Sequence, residues 1–192
     1  MIVIDIETSG LDYNKCGIWQ IGAIDLDLGK DFLEEARIDD EDEIMQEALE
    51  ITGKTENELR DKSKQSQKQL IENFFKWAEK IKIKNLICQG PQFDFAFIRV
   101  KADKYNLEFP FPHRAFDLHS IAQTIYFLKN KKFLIEKSES ALGLTKILEM
   151  IGKEDERREN VDGKITEGKP HNALEDCKLE AECFEKLMEE LR

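Results

Sequence analysis

A chain of 192 residues with 41% apolar content is long enough for one sizeable hydrophobic core and short for two. Charged residues reach 36%, well above the usual quarter, which implies much solvated helical surface and, given the apolar share, excludes a disordered chain. No apolar run approaches the ~20 residues that span a bilayer, and the N-terminus lacks the basic segment and cleavage site of a secretory signal, so a single cytoplasmic domain over residues 1–192 with no membrane association is expected.

The net charge of −11 opposes a nucleic-acid partner, because phosphate binding usually leaves a basic footprint. The acidity is local, however. Residues 31–50 hold ten acids against one base, Arg37, and an edge or face turned away from a substrate would accommodate them. The four cysteines, Cys16, Cys88, Cys177 and Cys183, form neither a C-x-x-C pair nor a zinc-spaced cluster, and read as reduced, small apolar residues.

In chain order, "MIVIDIE" alternates with period two, "SGLDYNKCG" is a loop, and "IWQIGAIDLDL" is a second strand. The acidic stretch leads into a helix at "EIMQEALEITG", closed by Gly53, and a longer helical pattern runs from about Glu56 to Lys80. "NLICQG" is a short strand broken by Gly90 and Pro91, and "FDFAFIRVKADKY" is a helix with inward aromatic side chains. "AFDL" is a short strand or turn ahead of the helix "HSIAQTIYFL", and "SALGLTKILEMIG" is a further short helix. Residues 153–169 read as a mobile charged loop. The last helix, from about Asn172 to Leu191, carries one apolar stripe. Strands early, helices interleaved and a helix last describe an α/β domain around a central sheet.

Three short stretches carry chemistry. Asp5 and Glu7 lie two apart on a strand, roughly 7 Å from one another on the same face. Buried without a counter-charge, each would cost several kcal/mol, and a divalent cation is the usual compensation, whereas on a wet face both would simply be solvated. In "QGPQFDFAFI", Asp94 sits at the start of a helix, where the helix dipole alone would favour an anion. In "KPHNALEDC", His171 and Asp176 are five apart, about 140° in azimuth on a regular helix, and converge only if His171 stays on the loop before the helix. Ala173, small and inward, would let that helix approach the sheet closely.

Taken together, Asp5, Glu7, Asp94, His171 and Asp176 resemble the motif set of the DEDDh 3′-to-5′ exonucleases, the group containing ribonuclease T and the proofreading subunit of bacterial DNA polymerase III. "VIDIETSGL" is similar to the family's first motif, "FDFAFI" to the core of its second and "HNALED" to its third. Gln89 and Gly90 stand where many relatives carry His-Asn. The resemblance implies a ribonuclease H-like three-layer α/β fold, with a central mixed five-stranded sheet and helices on both faces. It also implies two Mg²⁺ or Mn²⁺ held by Asp5, Glu7, Asp94 and Asp176, with His171 as general base. The partner that the resemblance implies is the 3′ end of a single-stranded nucleic acid, which the Thr8 backbone would meet, with Leu11 wedging near the last base. Arg99, Lys101, Lys104, Lys129, Lys131 and Lys132 are candidates for tracking the strand. Two other classes compete. A catalytically inactive module binding a nucleic-acid end or a protein would have no use for four gathered acids, and a phosphatase with Asp5 as nucleophile would leave His171 unexplained.

Overall fold

In the computed structural model, which describes residues 1–192, β1 (Ile2–Thr8) is covered on both faces. Ile2, Ile4 and Ile6 enter one core and Val3 a second core on the opposite face. A strand apolar on both sides belongs at the centre of a three-layer structure. β2 (Ile18–Asp25) pairs antiparallel with β1, and β3 (Lys30–Glu35) pairs antiparallel with β2 at the sheet edge. β4 (Leu86–Cys88) and β5 (Phe116–Asp117) run parallel on the other side of β1. The order is β3-β2-β1-β4-β5, the expected mixed five-stranded sheet.

Between β3 and β4 lie α1 (Gln46–Thr52), α2 (Glu56–Leu59) and α3 (Gln67–Ala78). The predicted single helix from Glu56 to Lys80 is therefore two helices, because Thr55 and Ser66 each cap a new start. α3 buries Leu70, Ile71, Phe74 and Phe75 in the first core with α4 (Pro91–Lys104). The second core is closed by α5 (Leu118–Asn130), α6 (Leu144–Met150) and α7 (Ala173–Glu190). All four cysteines are free and buried.

Two small hairpins were not predicted. β6 (Ile135–Glu136) pairs with β7 (Glu139–Ser140), and β8 (Asn160–Val161) with β9 (Lys164–Ile165). The second lies inside residues 153–169, so that segment is a folded hairpin tied to the body and not the structureless loop expected from its charge. Arg158 donates to the Glu50 carbonyl at 2.8 Å, and Asn160 hydrogen-bonds Glu47 of α1.

The acidic stretch is likewise tied in, and its Glu47 lines a cleft together with Asp5 and Glu7. Asp42 accepts Lys101 Nζ at 2.8 Å and Gln67 Nε2 at 2.8 Å in a buried pair, while Asp39 takes Lys104 at 2.6 Å. Two of the proposed strand-tracking bases are thus spent on the protein's own acids, and Arg99 and Lys129 pair with Asp103 and Glu190. No helix is long and apolar enough to cross a membrane.

Candidate active site

The side of β1 that carries Val3, Asp5 and Glu7 faces α7, as period two requires. Gly22 on β2 is the cross-strand partner of Asp5. A Cβ there would lie 2.3 Å from the Ala173 carbonyl carbon and 2.4 Å from the Leu174 amide nitrogen. It is Gly22, more than the small Ala173, that brings the start of α7 onto the sheet. Gln20 secures the contact, its Oε1 accepting from the Ala173 amide at 2.8 Å.

Asn172 caps α7, accepting from Leu174 and Glu175. His171 therefore sits on the loop before the helix, as convergence demanded, and its Nδ1 lies 3.1 Å from Asp176 Oδ2. The other ring nitrogen, Nε2, is 2.8 Å from the Arg158 carbonyl. Both neighbours are acceptors, so in this arrangement both ring nitrogens donate. Burial alone would depress the imidazole, but the hydrogen bond and charge of Asp176, with Glu7, outweigh it and hold the ring above the ordinary histidine value.

Asp94 occupies the first turn of α4, which begins at Pro91 directly after Gly90 (φ 76°). Glu7, Asp94 and Asp176 are all buried, and Asp5 is half-buried at the cleft floor. Burial, then the charges of Asp176, Glu7, Asp94 and Glu180, raises the Asp5 carboxyl well above the usual range. Burial and Asp176 push Glu7 up to about 8 against the pull of His171 and Arg157. Burial likewise takes Asp94 up to about 7, against amide hydrogen bonds from its own residue and from Ile6. The four expected carboxylates are thus brought together, and Glu180 is a fifth that the sequence reading missed. It lies one turn after Asp176 on the buried face of α7, is 2% exposed, and accepts the Gln89 amide at 3.1 Å.

Do these residues fit a cation? Glu7 Oε1, Asp94 Oδ1, Asp176 Oδ1 and Glu180 Oε2 are buried acceptor oxygens with no donor, an arrangement that costs heavily unless positive charge meets them. Glu7, His171 and Asp176 offer ligand atoms that all lie within 4.8 Å of one another. The carboxylate oxygens are hard donors of the kind that suit Mg²⁺ or Mn²⁺. Beside it opens a cleft of about 250 Å³ lined by Asp5, Glu7, Leu11, Ala48, Phe93 and His171. Leu11 is 67% exposed at the rim, whereas Thr8 is buried with its hydroxyl on the Gly10 carbonyl.

An exonuclease family model, RNase T, matches residues 2–184. The chain belongs to the RNase T exonuclease family. Solved structures agree on the fold. Cell-death related nuclease 4 (CRN-4) is 17% identical with a TM-score of 0.67, over 98% of this chain and 63% of that one. The nuclease domain of 3′hExo, described as a DEDDh family member and bound to rAMP, is 16% identical with a TM-score of 0.66, over 98% of this chain and 91% of that one. E. coli exonuclease I, in complex with a dT13 oligonucleotide, is 17% identical with a TM-score of 0.72, over 98% of this chain and 40% of that one. The chain thus spans less than two thirds of CRN-4 and of exonuclease I. Comparison with curated proteins finds no match. Exonucleases of this family depend on a metal, and the carboxylate and histidine cluster is where this member would bind one.

Proposed function

We propose that residues 1–192 form one exonuclease domain that releases mononucleotides from the 3′ end of single-stranded DNA or short RNA. Asp5, Glu7, Asp94 and Asp176 would hold two Mg²⁺ or Mn²⁺. The observation that carries this reading is the set of buried carboxylate oxygens without donors, gathered beside an open cleft and a histidine. When bound, such cations neutralise the developing charge of an in-line phosphoryl displacement and acidify the attacking water.

The chain's own residues do the rest. The cleft seats the terminal nucleotide, with Phe93 on its wall and Leu11 at its rim wedging against the last base, while the Thr8 backbone meets the 3′ hydroxyl. His171 takes the proton from the attacking water. With both nitrogens donating, the imidazole must both lose a proton and give up one acceptor contact before a nitrogen is free to receive the proton of the water. The Arg158 carbonyl, on the hairpin segment, is the contact that can move without disturbing α7. Four buried acids and a half-buried fifth would be a pure cost to an inactive binding module, which disfavours that alternative.

End-labelled single strands of DNA and RNA of one sequence, with Mg²⁺, Mn²⁺ or chelator, test the proposal. A 3′ label should leave at once as mononucleotide, and a 3′ phosphate should slow the reaction severely. Equal cleavage of circular single strands, or hydrolysis undiminished in excess chelator, would refute it.

A further inference from the structure

Arg157 lies between α6 and the β8–β9 hairpin, in the segment whose charge suggested only a solvated loop. Its guanidinium is fixed first by Asp155, with Nε donating to Oδ1 at 2.9 Å and Nη2 to Oδ2 at 2.6 Å. This is the two-point fork that arginine, and not lysine, forms with a carboxylate. Asp155 is anchored in turn, its side chain 1% exposed and accepting the Thr145 hydroxyl at 2.7 Å. The remaining nitrogen, Nη1, lies 3.1 Å from Asp176 Oδ2.

That oxygen is also the one facing His171 Nδ1. Asp176 Oδ1, by contrast, is buried with no donor. Two N–H groups on one carboxylate oxygen and none on the other fix the rotation of the group. We propose that Arg157 is a positioning residue: held by Asp155, it occupies Oδ2 of Asp176 and thereby presents Oδ1 to the divalent cation. The proposal rests on the metal-binding reading above. It also accounts for the buried Asp155, which otherwise has no task in the site. Partners of this outer kind commonly govern metal affinity by roughly 10- to 100-fold.

The sign of the effect makes the test sharp. By charge alone, deleting a cation beside a cation site should tighten metal binding, so a weakening reports lost orientation. Mn²⁺ is titrated calorimetrically, without nucleic acid, into the parent, Arg157→Met, Arg157→Lys and Asp155→Asn, with circular dichroism to confirm folding. Arg157→Met should bind Mn²⁺ roughly 10- to 100-fold more weakly, Arg157→Lys should also be weakened because it lacks the fork, and Asp155→Asn should lie between parent and Arg157→Met. Parental or tighter affinity in Arg157→Met overturns the proposal, and so does full affinity in Arg157→Lys. Should Arg157→Met not fold, Asp155→Asn decides, and parental affinity there overturns it. A parent that binds no Mn²⁺ instead refutes the functional reading itself, before any variant is compared.

Discussion

Glu7→Gln should stabilise the metal-free protein, and increasingly so as pH rises. The Glu7 carboxyl is moved from 4.5 to about 8 by burial and by Asp176. A carboxyl whose folded-state value is raised contributes stability that is complete below its unfolded value and is lost as pH climbs through the folded one. Between these limits the unfolded chain ionises Glu7 while the folded chain holds it protonated. At 1.36 kcal/mol for each pH unit above 4.5, the cost reaches about 3 kcal/mol at neutral pH. For a chain of this size that is about 6–12 °C in melting temperature. The assay is thermal unfolding of parent and Glu7→Gln in chelator from pH 5 to pH 8, read as the difference between the two curves. That difference should widen steadily with pH, and saturating Mn²⁺ should reverse its sign by stabilising only the parent strongly. Parallel curves across the range would show that Glu7 bears no ionisation penalty and would undo the argument for a charge-loaded site.

Asp5→Ala should abolish hydrolysis of a labelled strand while leaving the fold intact, since removing one clustered anion relieves repulsion; circular dichroism and a gel assay check both halves. His171→Ala should lower turnover by roughly 10² to 10⁴ with Mn²⁺ affinity nearly retained, and should remove the acidic limb of the pH-rate profile, which kinetics and calorimetry together would establish. Lys101→Met should leave Asp42 buried without its counter-charge and cost about 3–5 kcal/mol by denaturant unfolding.

Period two put Asp5 and Glu7 on one face, and the proline-bounded loop put His171 within reach of Asp176, so those parts of the site were legible from local geometry. The edge strand β3 was not. It reads "KDFLEE", and Phe32 is its one buried residue, so solvation of an edge erased the alternation that marks a strand. Residues 60–66 hid a break in a helical pattern because Leu59 and Leu70 happen to keep phase with one another. Two-residue strands leave no pattern to find. Glu180 did leave a signal, an acid one turn after Asp176 on a face otherwise occupied by Ala173, Cys177, Phe184 and Leu187. Arg157 left none, because one arginine among the charges of residues 153–169 is distinguished only by where the fold carries it.

The position of Asp176 and His171 is set from a strand that supplies no candidate catalytic group. β2 gives the site Gly22, where any side chain would strike the backbone of α7, and Gln20, which accepts the first amide of that helix. Because Gly22 is the partner of Asp5 across the antiparallel pair, the spot where α7 touches the sheet is registered against the central carboxylate itself. Gln20 reaches the other way as well, donating to Glu35 on β3, which is in turn held by Lys54 and Lys64. The helix start is thus registered against the sheet at the level of Asp5, through Gly22, and of Glu7, through Gln20. Rigid elements hold a constellation more closely than loops do, and here only His171, two residues before α7, lies on the loop side of that boundary, where the proposed general base would be able to change partners.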